Sequence, residues 1–195
     1  TYINAGIGGT TSQFGVARAE DDLLSKEPDF VIIEFSVNDE STEHFKETYE
    51  GLVRRVWQDE NEPAVMLVHN VYYNNGGNAQ IMHAQIARHY NLPAVSMQSS
   101  IYPEVVAGRI PNRRITEDDH PNDKGHELVA SVITYALEKI HITQTKDAKP
   151  EFPEPLTDNC YEKAVRLDNR NYEPENQGFV KDTRVQEEVK DCFKN

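Results

Sequence analysis

Three short stretches of this chain hold residue types that could do chemistry. The first is Gly8-Gly9, where the lack of side chains lets backbone N–H groups approach a ligand closely. The second is Ser36-Val37-Asn38-Asp39, in which Asn38 could donate its side-chain amide to a developing oxyanion. The third is the acidic run Glu117-Asp118-Asp119, which leads directly into His120. A histidine beside carboxylates can act as a general base, because the carboxylate fixes its tautomer and stabilises the imidazolium.

Each stretch also has an ordinary structural explanation. Glycines after a strand commonly form a tight turn, and the chain has no G-x-G-x-x-G or G-K-[ST] pattern of a nucleotide loop. Asn38-Asp39 could be a turn that caps the next helix, and acids before a helix favour its dipole. A metal site is a further alternative, although the spacing matches no zinc pattern such as H-E-x-x-H; its ligands would be Asp118, Asp119, His120, Asp123 and His126.

The first half of the chain predicts alternating strands and helices. Residues 1–4 are predicted to form a short strand, followed by the glycine loop and a helix to about Ser25. The apolar run Phe30–Phe35 predicts a central parallel strand that is covered on both faces. Ser41 or Thr42 can cap the next helix, whose apolar face is formed by Phe45, Tyr49, Leu52, Val53, Val56 and Trp57.

The same alternation continues to about residue 140. We predict a buried strand at Ala64–His69, a loop over residues 70–78, a helix over 79–90 and a short strand at Ala94–Met97. A last helix follows His120-Pro121-Asn122, with proline well placed near its start, and its apolar face holds Leu128, Val129, Val132, Ile133, Ala136, Leu137 and Ile140. The pattern predicts an α/β domain of three layers.

The character of the sequence changes near Thr143. Lys146–Pro155 holds three prolines among alternating charges, which is typical of a linker. We therefore divide the chain into a core at 1–143, a linker at 144–155, and a segment at 156–195 that is either a tail or the start of a truncated second domain. Cys160 and Cys192 could pair in a secreted protein, or could be two free thiols.

Charge and hydropathy exclude two classes of partner. With 33 acidic against 20 basic residues the formal net charge is −13, which would repel both nucleic acid and an anionic bilayer. No run approaches the roughly 18 apolar residues of a membrane span. The oligomeric state and the compartment, cytoplasmic or secreted, stay open.

The three stretches together resemble the SGNH hydrolases, a GDSL-type esterase and lipase family. Four blocks of that family contribute a Ser, a Gly, an Asn and a His in this order. Residues 4–12 resemble the Gly block, with Gly9 as an oxyanion donor; Asn38 matches the second donor, and His120 matches the general base. The resemblance covers about residues 1–140 and implies a flavodoxin-like α/β/α sheet.

The sequence departs from the family pattern in two places. No Gly-Asp-Ser occurs in the 195 residues, so we expect the serine-bearing strand before Thr1 and interpret this chain as a fragment that lacks its nucleophile. We also expect the strand at Phe30–Phe35 to have an unpaired edge. In addition, the family's Asp three residues before the His is replaced by Glu117. Glu117 is the first choice of orienting acid, and Asp118 is the second.

The resemblance implies a serine esterase that needs no metal or organic cofactor. Its substrate would be a small-molecule or carbohydrate ester. The loop at 69–78 is polar and aromatic, as suits sugar binding, and we predict contacts from His69, Asn70 and Tyr72 to an acetylated carbohydrate. An ordinary surface loop is the alternative. The rival functions are a non-catalytic carbohydrate-binding module and an inactive fragment.

Overall fold

A computed structural model describes residues 1–143, 152–167, 171–173, 175 and 177–178 of the chain. Its centre is a parallel sheet of β1 (Phe30–Ile33), β2 (Ala64–His69) and β3 (Ala94–Ser96), in the order β1-β2-β3. Ile33 pairs with Leu67, and His69 pairs with Ser96. The predicted parallel α/β sheet is confirmed.

The helices of the first half follow the apolar periodicity of the sequence. They are α1 (Ser12–Asp22), which is followed by a 3₁₀ turn, α2 (Glu43–Trp57) and α3 (Gln80–His89). Of the two predicted caps for α2, Thr42 is the one that serves, because its side chain accepts from the N–H of Phe45. Thr42 has an extended backbone conformation. Its side-chain oxygen satisfies one of the N–H groups that have no partner within the first turn of the helix.

The alternation of side chains along each strand creates two apolar faces. On one face a cluster joins the sheet to α1, α2 and α3, and its buried members include Val16, Val31, Ile33, Val53, Val65, Leu67 and Ile86. On the other face the buried members are Val68, Val71, Tyr73, Val95, Met97, Ile101 and Ile115. The last helix, α7 (Asp123–Thr143), packs against this second face. The result is the predicted three-layer arrangement.

Short elements that the sequence did not predict connect β3 to α7. They are α4 (Met97–Ser100), α5 (Tyr102–Val106), α6 (Asn112–Ile115) and a hairpin of β4 (Thr116–Glu117) and β5 (His120–Pro121). These pieces hold two to five residues each, which is too short for a hydrophobic period to be visible.

The prediction of a strand at residues 1–4 is wrong. These residues are irregular and exposed, and no strand in the described part of the chain pairs with them. A strand without a partner leaves its backbone groups to water. The prediction of a central strand covered on both faces is also wrong for the described residues. Strand β1 pairs only with β2 there, and on one of its faces the side chains of Phe30 and Ile32 are 42% and 46% exposed.

Residues 152–167, here called the strap, cross the outer face of the helical layer. Phe152 packs against Trp57 and Tyr90, and the strap backbone contacts Gly51 so closely that a Cβ there would lie 3.0 Å from the nitrogen of Glu162. The packed segment begins four residues before the predicted boundary at 156, within the predicted linker. Residues 144–151 of that linker lie outside the described part. None of the described helices is long and apolar enough to cross a membrane.

Candidate functional site

The glycine loop precedes α1 and is held by local hydrogen bonds. Asn4 Oδ1 accepts from the N–H of Gly6 at 2.9 Å, and Thr10 Oγ1 donates to the carbonyl of Ile7 at 2.7 Å. Gly9 has a φ of +69°, a conformation that is open to glycine and strained for most other residues. Gly8 and Gly9 are exposed on this loop, as residues of an anion-binding turn must be.

The Asn38 turn follows β1 directly. The carbonyl of Phe35 accepts from the N–H groups of Asn38 and Asp39 at 3.1 and 2.9 Å, which leaves the Asn38 side chain exposed while Asp39 is buried. Asp39 Oδ1 accepts from the N–H of Ser12 at 2.8 Å. Asp39 therefore caps α1, the helix behind the glycine loop, rather than the helix that follows it in sequence. This bond joins the Gly9 loop to the Asn38 turn.

The Asn38 turn is also tied to the loop at 70–78. Ser36 Oγ donates to Glu34 Oε1 at 2.6 Å and to the carbonyl of Asn70 at 3.0 Å. The N–H of Ala79 donates to the carbonyl of Ser36 at 2.7 Å. Both ends of the loop are thus fixed to the end of β1, at the carboxyl edge of the sheet, where open α/β sheets bind their ligands.

His120 lies on the short hairpin before α7. It pairs across the hairpin with Glu117, and Asp118 between them has a φ of +51°. The side chains of all three are exposed. Within residues 1–143 the structure records no hydrogen bond between the His120 ring and either carboxylate. A different acid makes the contact to a neighbouring element: Asn74 Nδ2 donates to Asp119 Oδ1 at 3.0 Å, which joins the hairpin to the loop at 70–78.

The start of α7 fixes the position of this hairpin. Asn122 Oδ1 accepts from the N–H groups of Lys124 and Gly125 at 3.1 and 3.2 Å, and the Asn122 N–H donates to the carbonyl of Ile115 at 3.0 Å. A Cβ on Gly125 would lie 2.1 Å from that same carbonyl oxygen. The absence of a side chain at Gly125 therefore allows α7 to approach the base of the hairpin.

The three predicted substrate contacts occupy different environments. His69 ends β2 with its side chain in the core and is only 2% exposed, which places it out of reach of a ligand at the surface. Burial, with a smaller effect of His83, lowers the pKa of His69 to about 4, so the ring is neutral at pH 7. Asn70 and Tyr72 are half-buried on the loop and keep access to solvent.

A buried hydrogen-bonded pair of side chains that the sequence did not reveal lies next to the Asn38 turn. His83 Nε2, on α3, donates to Asp39 Oδ2 at 3.0 Å, and both side chains are fully buried. The His83 ring stacks on Tyr49 with 3.7 Å between centroids and 4° between planes. Burial first, then the charges of Glu34 and Asp39, raise the pKa of Tyr49. The partners are 44 positions apart in the sequence and form no local motif.

Two other sequence predictions concern metals and thiols. Within the described residues no group of three or more His, Cys, Asp or Glu side chains is placed to hold a metal ion, so the alternative metal site around Asp118 and His126 finds no support. Cys160 is exposed. Its pairing with Cys192 lies outside the described residues, because Cys192 is not among them.

The arrangement suits acyl transfer. Gly9 offers a backbone N–H and Asn38 a side-chain amide as donors for an oxyanion, and His120 offers a base. The Ser12–Asp39 bond, the Ser36–Asn70 bond and the Asn74–Asp119 bond connect the three segments that carry them.

The chain is similar to two solved structures of one esterase. Two structures of a two-domain esterase (CEX) active on acetylated mannans, one of them co-crystallised with mannopentaose, are each 70% identical to this chain. They match all of it with TM-scores of 0.90 and 0.92. The chain spans about half of their length, 52% and 53%. No curated protein matches the chain significantly.

The sequence profile of the GDSL-like Lipase/Acylhydrolase family matches residues 1–128, about two thirds of the chain and the part that holds Gly9, Asn38 and His120. The chain therefore belongs to the GDSL-like lipase/acylhydrolase family.

Proposed function

We propose that this chain is the larger part of the catalytic domain of a serine esterase that removes acetyl groups from mannan-type carbohydrates. The observation that supports the proposal is the set of hydrogen bonds that connects the segments on which Gly9, Asn38 and His120 lie. The 70% identity to an esterase active on acetylated mannans supports the substrate class.

In the first half of the reaction, a serine hydroxyl attacks the acetyl carbonyl while His120 removes the hydroxyl proton. The carbonyl oxygen becomes an oxyanion, which accepts from the Gly9 N–H and from the Asn38 amide. When the intermediate collapses, His120 returns the proton to the departing sugar oxygen, and the acetyl group stays on the serine.

In the second half, water attacks the acetyl-enzyme. His120 removes a proton from the water, the same donors hold the second oxyanion, and acetate leaves as the serine hydroxyl is restored. Glu117, paired with His120 across the hairpin, is the first choice for orienting the ring, and Asp118 is the second. The carboxylates of Glu117 and Asp118 would stabilise the imidazolium that forms in each half of the reaction.

The nucleophile is assigned, on the family resemblance, to a Gly-Asp-Ser segment of a longer protein. The relatives are about twice as long as this chain, and no Gly-Asp-Ser occurs within its 195 residues. Because β1 pairs only with β2 among the described residues, its other edge offers hydrogen-bonding groups to an additional strand.

The sugar would lie along the loop at 70–78. Tyr72 and Asn70 on this loop keep partial access to solvent, and an amphipathic aromatic ring beside amide groups suits the apolar faces and hydroxyls of a mannose unit. The Asn74–Asp119 bond holds this loop beside the hairpin that carries the base, so a bound sugar can present its acetyl group to His120.

The test is acetate release from acetylated mannan by the full-length protein and by two histidine variants. His120→Ala should lower kcat on the order of 10³-fold, because it removes the general base. His126 is a second exposed histidine and lies on α7. His126→Ala should be as active as wild type. Undiminished turnover by His120→Ala would refute the proposal. Tight mannooligosaccharide binding without acetate release by the wild type would favour the non-catalytic alternative.

A further inference from the structure

The buried pair Asp39–His83 takes no direct part in the reaction proposed above, yet it lies immediately beneath the second oxyanion donor. Asp39 is the next residue after Asn38, and both of its carboxylate oxygens are engaged. Oδ1 accepts from the Ser12 N–H at 2.8 Å, and Oδ2 accepts from His83 Nε2 at 3.0 Å. The carboxylate therefore connects three elements: the Asn38 turn, the start of α1 and the helix α3.

The connection to α1 fixes the first oxyanion donor relative to the second. Ser12 is three residues after Gly9, and the hydroxyl of Ser12 is itself 2.6 Å from Thr48 Oγ1 in the core. A change in the position of Asp39 would move the Ser12 N–H on one side and Asn38 on the other. Asp39 therefore links the segment that carries the Gly9 N–H to the segment that carries the Asn38 amide.

The connection to α3 prevents the carboxylate from rotating. His83 is fully buried, and its ring is clamped in parallel contact with Tyr49. Its other nitrogen, Nδ1, has no hydrogen-bond partner among the described residues, so the single bond that orients the ring is the one to Asp39. A carboxylate accepts but does not donate, which assigns the proton to Nε2.

We propose that Asp39 and His83 are positioning residues of the esterase, which act by setting the separation of the two oxyanion donors, the Gly9 N–H and the Asn38 amide. The inference rests on the proposed function. Preorganised donors contribute to the rate only when they meet the oxyanion at hydrogen-bond distance, and displacement of a positioned group by about 1 Å can cost on the order of 10²-fold in rate.

The test uses variants of the full-length protein and separates kcat from KM for acetyl ester hydrolysis. His83→Leu removes the bond to Asp39 and should lower kcat by about tenfold to a hundredfold, with KM changed by less than about threefold, because the loss falls on the transition state. His83→Gln can place an amide N–H near the position of Nε2 and should recover kcat to within about threefold of wild type. His83→Asn, whose amide is too short to reach Asp39, should resemble His83→Leu.

Two controls distinguish positioning from a general loss of stability. Val56→Ala truncates a buried apolar side chain on α2 and should lower the melting temperature without lowering kcat of the folded enzyme. The double variant Asn38→Ala/His83→Leu should be slower than Asn38→Ala by clearly less than the factor that His83→Leu causes in the wild type, because the part of the effect that acts through Asn38 is already lost.

An unimpaired kcat in both His83→Leu and His83→Asn, beside an impaired Asn38→Ala, would overturn this inference alone. The inference would also be wrong if the decrease in kcat of the double variant equalled the product of the decreases in the two single variants. A wild-type kcat in Asn38→Ala would overturn the proposed function and this inference with it. If His83→Leu does not fold, the contrast between His83→Gln and His83→Asn decides the question.

Discussion

The carboxyl edge of the sheet and the strap face of the molecule use charged residues in opposite ways. At the edge, Glu117, Asp118 and His120 are exposed on a short hairpin, and no hydrogen bond joins the ring to either carboxylate in the described residues. Beneath the strap, Glu50 is fully buried. It accepts from the N–H groups of Leu156 and Thr157 at 2.6 and 2.8 Å, and from the Thr157 and Tyr90 hydroxyls.

The guanidinium groups of the strap face are equally well bonded. Arg54 donates to Glu162 at 2.7 Å and to the carbonyl of Pro153 at 3.0 Å, and Arg55 donates to the carbonyl of Ala164 at 2.6 Å. Buried charges are tolerated only when such partners surround them. The difference teaches that charged groups on the strap face contribute to stability, whereas those of the hairpin stay exposed to solvent.

The largest effect on stability is expected at Glu50. Glu50→Ala leaves the strap N–H groups and the Tyr90 hydroxyl without their acceptor, so the free energy of unfolding should fall by roughly 3–5 kcal/mol. Urea unfolding of the 195-residue chain measures this, with the exposed Glu43→Ala on the same helix as the control. The kcat of the folded full-length variant should stay unchanged. A variant as stable as wild type would show that the strap is not anchored through this carboxylate.

The same carboxylate predicts the direction of a pH effect. Burial acts to raise the pKa of Glu50, but the hydrogen bonds from Thr157, Tyr90 and the backbone outweigh it, and the pKa lies below its usual value. A lowered folded pKa contributes stability that is present above the unfolded pKa and is lost as the pH falls through the folded pKa.

The next largest effect on stability is expected from His69 as the pH falls. Its pKa is lowered from 6.5 to about 4, so its contribution to stability is complete above pH 6.5 and is lost as the pH falls toward 4. The total corresponds to about 3 kcal/mol. His69→Leu should therefore be more stable than wild type at pH 4.5 and should flatten the stability profile between these limits. The exposed His126→Gln should not change the profile. An unaltered acid limb in His69→Leu would contradict the account.

The smallest of these effects is expected at Gly125, at the base of the hairpin. Gly125→Ala places a methyl group against the carbonyl of Ile115 and forces α7 away from the hairpin that carries His120. Overpacking of this kind costs roughly 1–3 kcal/mol, and kcat should fall as well because the hairpin moves. Ser131→Ala, on the exposed side of α7, is the control for both measurements. A loss of stability without any loss of kcat would show that the contact between α7 and the hairpin does not affect the reaction.

Much of the fold could be predicted from the sequence, since its main elements carry long apolar periods. The strand at Ala64–His69 was predicted with its observed bounds, and most of the predicted apolar positions of α2 and α7 pack in the two clusters beside the sheet. The end of the predicted α7 face is wrong, because Leu137 and Ile140 are 38% and 44% exposed. The strand at residues 1–4 was wrong, because pairing and not propensity decides whether four residues form a strand.

The polar contacts could not be predicted in the same way. Asp39 is adjacent to Asn38 in sequence, but its partners Ser12 and His83 come from two other helices, and no spacing rule connects them. From the sequence, His69 lies where a strand meets a loop, and we predicted that it contacts the ligand. In the structure, the alternation of side chains along β2 directs its ring into the core. The contact of Asp119 with Asn74 likewise depends on how two loops fold toward each other.

The most direct test of the account is the structure of the full-length protein after reaction with a p-nitrophenyl phosphonate, a reagent that phosphonylates activated serines. The account predicts a single adduct on a Gly-Asp-Ser serine. In the crystal, the phosphonyl oxygen should lie within hydrogen-bond distance of the Gly9 N–H and of Asn38 Nδ2, with the His120 ring beside the modified serine. An adduct on a serine within the 195 residues, or a phosphonyl oxygen that neither Gly9 nor Asn38 contacts, would contradict it.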